Sequence, residues 1–505
     1  MKNIAIIFAF FTNSIVGQVG IGTTSPEGVL DIISTNQGLL IPRIKLTATN
    51  ISAPVINPNS GTLPSSTLVY NTETNGAFPN QVFPGFYYWD SSKWVRLNTE
   101  NSWLVNGNAN INSSINFLGT VDNNDLIFKR NNILSGTLSE INTSFGVAAL
   151  KNNTTGSHNT AFGQNSLEFN STGYQNTAIG KSSLNQNTSG NYNVALGYSA
   201  LERNTTGFMN IALGHQSLYN NLNGRSNLAI GKSALERNIS GVNNSAIGNY
   251  SLFNNQLGSD NIALGNSALE RNINGEKNIA IGNASLLVNQ NSNNCLSIGH
   301  DSQIANLSGE YNISIGNNSL SINQSGSNNL AIGHNAYNTG NFNNSIAIGN
   351  NSTITANNQV RLGNSTTSSI GGFTNWTNVS DQRLKKNINY QSVPGLEFIL
   401  KLKPVTYQLN FEYISKKLDF NNKEILSNPQ LQTGFIAQEV ESTAKDLGFD
   451  FSGIDKPKNE SDYYGLRYAE FVVPLTKAIQ EQQKIIENQQ KEINELKIKI
   501  NQILK

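Results

Sequence analysis

Three histidines, His215, His300 and His334, each directly follow a glycine at the same place in a repeated pattern, so imidazoles are the first candidates for metal chemistry. In a stack of β-strands about 4.8 Å apart they would stand roughly 24 and 10 Å from one another, too far to share an ion within one chain. Three copies of one histidine could meet only on a threefold axis, and a solvated turn accounts for the position without a ligand. No metal or cofactor is expected. Carboxylates are also too sparse for the calcium-binding Gly-Asp repeats of other solenoids. The tetrapeptide Leu-Glu-Arg-Asn recurs at Leu201, Leu235 and Leu269. Spaced about 10 Å apart, its like charges barely repel through salt water, which suits a decorated, solvated face; a ligand-binding stripe is the alternative.

A second group of chemically capable residues lies at Ser380-Asp381-Gln382-Arg383-Leu384-Lys385-Lys386. Taken alone, Ser380 or Asp381 would cap a helical turn with solvated cations behind it. A third group is the aromatic cluster Phe86, Tyr87, Tyr88, Trp89 and Trp94. Rings in the open can stack on the apolar faces of sugars, but packing in a core is the commoner use. Cys295 is the only cysteine, so no disulfide can form within one chain.

The element that must carry the histidines is an internal repeat. Twelve glycines from Gly146 to Gly333 are each 17 residues apart without one insertion. Around them the unit reads N-x-A-[IL]-G-x-x-[SA]-L-x-x-N-x-x-G, as at Asn176, Gly180, Leu184, Asn187 and Gly190. A unit this short cannot bury its own apolar face, so copies must stack and share one core. Ala and Ile or Leu before the first glycine, with Leu after it, are expected to supply that core as two short strands. The glycines allow the positive φ values of the turns. Equivalent asparagines in successive coils can form hydrogen-bonded ladders. A parallel β-solenoid follows, about 50 to 60 Å long for twelve coils. Helical repeats need about 33 or more residues per unit and avoid this density of Gly and Asn.

Composition narrows the partners. Only 13% of residues are charged and the net charge is +1, a balance that favours neither nucleic acid nor an anionic membrane. The first seventeen residues, with Lys2, an apolar run from Ile4 to Phe11 and short residues up to Gly17, read as a secretory signal cut between Gly17 and Gln18. The mature chain is then exported, to the medium or the cell surface. No later run is apolar enough for a transmembrane helix. The expected organisation is a signal (1–17), a β-rich capping or distal module (18–141), the solenoid (142–363), a linker (364–379), a compact domain (380–470) and a terminal helix (471–505).

The repeats Asn176 to Leu184 and Asn261 to Leu269 resemble the head of trimeric autotransporter adhesins. That resemblance spans about residues 142 to 363 and implies a left-handed parallel β-roll wound as a homotrimer. The period of 17 is longer than that family's common one. The chain ends in a polar helix where those adhesins carry a membrane β-barrel, so anchoring by that route is not expected.

After Gly363 the repeat fades and charge density rises. Ser380 to Ile388 is followed by Leu402-Lys403-Pro404-Val405-Thr406-Tyr407, then Thr433-Gly434-Phe435-Ile436-Ala437-Gln438-Glu439-Val440, then Tyr464-Gly465-Leu466-Arg467-Tyr468 and a long helix. In that order, over residues 380 to 505, these resemble the auto-cleaving intramolecular chaperone of endosialidases and phage tail spikes. The resemblance implies that Ser380 is a nucleophile, Lys385 its general base, and the Val379-Ser380 bond the one cut. A serine hydroxyl needs such a base, and a lysine can serve once burial or nearby cations lower its pKa. Arg383 and Lys386 are candidates for that influence, with Asp381 and Arg383 as supporting residues.

The terminal helix carries heptad positions Val472, Ile479, Ile486, Ile493 and Ile500, and Leu475, Gln482, Gln489, Leu496 and Ile503. Such a seam is compatible with a coiled coil of three strands, or with a helix packed on its own domain. The leading functional expectation is an exported trimeric fibre or adhesin whose chaperone assembles it and then cuts itself off. A glycan-binding or glycan-degrading spike, which would have a surface glycan or host receptor as partner, and a chaperone retained as a clamp are the alternatives.

Overall fold

The computed structural model describes residues 17–77, 79–97, 117–410, 412–414 and 431–504. Apart from Gly17, the expected signal lies outside these residues. The chain divides into two compact units at Gly119 and Thr120. In the first, Val19–Ile21 pairs in parallel with Leu30–Ile32, and a four-stranded sheet is built from Arg43–Ile44, Leu68–Asn71, Gly85–Trp89 and Trp94–Arg96. The period of two along Gly85–Trp89 sends Tyr87 and Trp89 inward, where they join Trp94, Val69, Val82 and Leu46 in a core. Trp94 donates its indole N–H to the Ile51 carbonyl at 2.9 Å. Of the two uses open to the aromatic cluster, packing accounts for these three rings; Phe86 faces outward, edge-on to Tyr70.

In the second unit a 16-stranded sheet runs from Leu126–Arg130 to Val360–Leu362. From Asn142–Phe145 onward every strand pairs in parallel with the next coil, Ala161 opposite Ala178 and Ala178 opposite Ala195. The protein is thus mainly β, with a parallel solenoid at its centre. An antiparallel hairpin, Leu126–Arg130 with Ile133–Leu138, covers the free edge of the first coil. At the other end the spacing shortens, with Leu330 opposite Ile346 and Ile346 opposite Val360.

Each coil holds one three- or four-residue strand rather than two, because the recurring leucine after the glycine sits in a left-handed turn. Leu167 has φ 49°, and His158 and Asn165 in the same coil have φ 59° and 60°. Such backbone costs about 1–2 kcal/mol per residue. It is held by cross-coil bonds such as Leu167 N–H to Ser183 O at 3.0 Å and by complete burial of the leucine. Only the first glycine needs positive φ, 137° at Gly163. The second, such as Gly173, is required for close approach: a Cβ there would run into the Gly190 carbonyl of the next coil.

The side-chain pattern also differs from the expected core. In Ile262–Leu264 the middle residue, Ala263, points inward and is buried, while Ile262 and Leu264 point outward and are each 44% exposed. The coil interior is therefore narrow, filled by Ala178, Ser183 and Leu184 and their equivalents, and flanked by two asparagine ladders. In one, Asn176 Oδ1 accepts from Asn193 N–H (3.0 Å) and Nδ2 (3.1 Å), and Asn193 Nδ2 donates onward to the Gly207 carbonyl (2.9 Å). In the other, Asn187 Nδ2 donates to Asn170 Oδ1 and Asn204 Nδ2 to Asn187 Oδ1, both at 2.7 Å.

The pattern lapses most in two successive coils. Ser297 and Ser314 stand where other coils have Ala, and Gln303 replaces the buried leucine. The Gln303 amide donates to the Leu296 carbonyl and to Ser314 Oγ, both at 2.9 Å, while its Oε1 has no partner. This polar stretch separates the apolar core ending at Cys295 from the one beginning at Leu320.

Beyond the solenoid a small α+β domain packs around Phe398, Val440, Ala444, Phe451, Ile454 and Phe471. It contains the helices Leu396–Lys401 and Ala437–Asp446 and two short antiparallel pairs, Val405–Tyr407 with Gln432–Gly434 and Ile454–Asp455 with Gly465–Leu466. The three sequence segments noted after residue 400 converge here. Phe435 stacks on Phe471 at 5.4 Å, Leu402 and Tyr464 pack on the same core, and the Phe435 N–H donates to Tyr468 Oη at 3.1 Å. The chain continues as the 32-residue helix Val472–Ile503.

Candidate functional site

Asp381 opens the short 3-10 turn Gln382–Leu384 by accepting the Arg383 N–H at 2.8 Å. Lys385 closes that turn, its N–H donating to the Gln382 carbonyl at 3.0 Å. One turn therefore folds the chain back, and Lys385 Nζ lies 2.6 Å from Ser380 Oγ. The Arg383 guanidinium binds both carboxylate oxygens of Asp381, Nε to Oδ1 at 3.1 Å and Nη2 to Oδ2 at 2.6 Å. That pairing holds the Asp381 carboxyl below its usual range and raises Arg383 in turn. Arg383 is thus a member of the turn rather than an unpaired cation beside Lys385. Ser380, Asp381, Arg383, Lys385 and Lys386 all sit at the surface of the single chain, and Val379 is 81% exposed. The arrangement can deliver a hydroxyl and an amine to the peptide bond that precedes Ser380.

The other candidates are dispersed. His300 is exposed and lies 3.1 Å from Asp301, and His215 stacks on Tyr198 at 5.2 Å. Among the described residues no group of three His, Cys, Asp or Glu side chains is placed to hold a metal. Cys295 takes an asparagine position in a ladder and is buried, which pushes its thiol up to about 11. In the Leu-Glu-Arg-Asn stretches, Arg203 lies over the Tyr219 ring at 5.2 Å and Arg237 over Phe253 at 4.8 Å. Two of the three motif arginines thus cover a ring of the next coil; Arg271 has Leu287 at the equivalent position.

Two exposed apolar surfaces escaped the sequence reading or were only half seen. The outward strand residues form a stripe along the solenoid, including Phe162, Leu196, Ile211, Leu264 and Ile315. Three residues carry too short an alternation to reveal which way they face. The terminal helix packs its first turns on the domain, burying Pro474 and Ala478, with Glu481 accepting the Leu396 N–H at 2.7 Å. Farther on, Ile486, Ile493, Leu496 and Ile500 are unpaired in the single chain. No helix among the described residues is long and apolar enough to cross a membrane.

Comparison with known families places these features. Residues 20–114 match the model of a phage tail-like trimerisation region, and residues 380–449 match that of the chaperone of endosialidase. The second match begins at Ser380 itself. No curated protein and no solved structure matches the chain. The matched segments and the solenoid between them together have the build of a tail-fibre-like protein with its own chaperone, and the first match supports a homotrimer.

Proposed function

We propose that this is an exported trimeric fibre whose carboxy-terminal domain aligns three chains, allows the solenoids to pair, and then cuts itself away before Ser380. The observation that carries the assembly half is the outward apolar stripe. A lone solenoid exposes two adjacent apolar rows on one face, one with Ile211 and Ile262, the other with Phe162, Leu196, Leu264 and Ile315, and a continuous apolar face of this kind marks an interaction surface. Three copies facing one axis would bury it. The exposed isoleucine seam of the terminal helix supports a parallel three-stranded coiled coil as the aligning device. Alignment matters because the outward face repeats with every coil, so three chains could meet one coil out of register unless their ends are held level.

The cleavage half rests on the contact between Lys385 Nζ and Ser380 Oγ and on the family match that starts there. Lys385 takes the Ser380 hydroxyl proton as Oγ attacks the Val379 carbonyl. The Val379-Ser380 C–N bond breaks, the proton passes to the departing Ser380 nitrogen, and an ester joins Val379 to Ser380 Oγ. Water then hydrolyses the ester. Lysine acts as a base only where burial or neighbouring positive charge favours its neutral form. In the single chain the site is open to solvent, so the assembled trimer is where such burial would arise. Removing the domain afterwards deletes the easiest route of separation and leaves a kinetically trapped fibre.

Intact mass spectrometry of the purified product under native and denaturing conditions tests the whole reading. The expected result is a trimer in which every chain is divided into a fragment running from Gln18 to Val379 and a second starting at Ser380. A stable trimer of uncut chains would leave the domain as a permanent clamp. A fibre attached to a glycan or a host receptor is the extension of this reading, and glycan-array binding by the amino-terminal unit is its separate test.

A further inference from the structure

The last coil of the solenoid is gripped by the domain that follows it. Asp462, in the loop between Ile454–Asp455 and Gly465–Leu466, is 7% exposed. Its Oδ1 accepts from Thr355 Oγ1 at 2.5 Å and from Gln359 Nε2 at 3.1 Å. Its Oδ2 accepts the Lys458 N–H of its own loop at 3.1 Å, and Arg361 stands 4.0 Å from Oδ1. Gln359 is oriented for this contact: its Oε1 accepts the N–H groups of Thr355 and Ala356 at 2.9 and 3.2 Å, which turns the amide nitrogen toward the carboxylate. Two more bonds from the loop flank it, Lys458 Nζ to the Asn357 carbonyl (3.2 Å) and Asn459 Nδ2 to the Thr355 carbonyl (2.8 Å).

A carboxylate is rarely buried unless several donors converge on it. Here the donors come from both sides of the bond before Ser380, and four hydrogen bonds and the Arg361 contact join the solenoid's end to the loop. The coil that receives them is the one whose following edge has no further strand to pair with.

We propose that Thr355, Asn357, Gln359 and Arg361 form a docking surface for the loop Lys458–Asp462, and that the carboxy-terminal domain stays bound there after the chain is cut. Cleavage and release are then two steps, and Asp462 is the latch that governs the second. The proposal rests on the reading that the chain divides before Ser380. It is tested without relying on that reading by inserting a specific protease site between Gly371 and Gly372, which have open space around them. The full chain is cut there and run on size exclusion at neutral pH.

The two fragments should elute together. Asp462→Ala should weaken their association at least tenfold, so that they separate at micromolar concentration. Because Asp462→Ala could harm the loop's own fold, Thr355→Val with Gln359→Leu, changed on the solenoid side only, should separate them as well. Far-UV circular dichroism of the separated fragments would show each still folded. Fragments that part from the unaltered chain, or that stay together in both variants, overturn the latch. Failure of self-cleavage in the chain without the inserted site would count against the autoprotease alone.

Discussion

Lys385 Nζ is 2.6 Å from Ser380 Oγ because a single 3-10 turn, opened by Asp381 and closed by Lys385, lies between them. The contact is local, so it does not depend on the rest of the domain, and each partner can be removed without unpacking a core. Ser380→Ala and Lys385→Ala should both leave an uncut chain that still forms trimers. Lys386→Ala should cut within a few-fold of the normal rate, since its side chain is not the one on the hydroxyl. Denaturing gels read one band or two. Two bands from Ser380→Ala would assign the cut to an outside protease.

The asymmetry of Ile262–Leu264 gives a sharper test of assembly than any deletion. Ile262 and Leu264 face outward and Ala263 fills the coil, so charge on the outer pair should break the trimer without touching the interior. Ile262→Asp with Leu264→Asp should lower the trimer fraction at least tenfold by light scattering, with the strand signal in circular dichroism retained. Ala263→Leu should do the reverse, straining the coil by roughly 1–3 kcal/mol through overpacking.

The repeat was legible because twelve equivalent positions restate the same requirements, and both asparagine ladders follow from equivalent side chains one strand spacing apart. Which way the aliphatics faced was not. Ile-Ala-Leu reads as apolar throughout, and a three-residue strand is too short for a period of two to separate core from interface. At the site, the spacing of Ser380 and Lys385 was visible, yet the pairing that neutralises Arg383 depends on side-chain geometry within the turn. The Asp462 contact joins residues 107 apart in sequence, and no local pattern marks it.

The polar stretch around Gln303 should be a weak point in the stack. Its buried Oε1 lacks a partner, and an unsatisfied polar atom costs about 1–3 kcal/mol. Restoring the repeat with Gln303→Leu, Ser297→Ala and Ser314→Ala should raise the denaturation midpoint of the solenoid. A lower midpoint in this triple variant would mean that the hydroxyl cluster stabilises the coil more than a leucine would.

The latch at Asp462 also fixes a pH dependence. Burial pushes its carboxyl upward, but hydrogen bonds from Thr355, from the Lys458 and Tyr463 backbone and from Gln359 outweigh burial and hold it below the usual value of 3.8. A group with a depressed folded pKa contributes its stabilisation fully above its unfolded value and loses it as pH falls through the folded one. Arg361, 4.0 Å from its Oδ1, and Lys458, which bonds the loop to the Asn357 carbonyl, are the cations around it. Fragments cut in the linker should therefore co-elute unchanged from pH 7 to 5 and come apart only as the pH falls below about 4. Glu460 is a second carboxylate in the same loop, so Asp462→Asn is the control: it should show weaker association at pH 7 and little further loss on acidification. If the asparagine variant follows the same acid profile as the normal chain, the pH response belongs to another group or to unfolding, and Asp462 is only a structural contact.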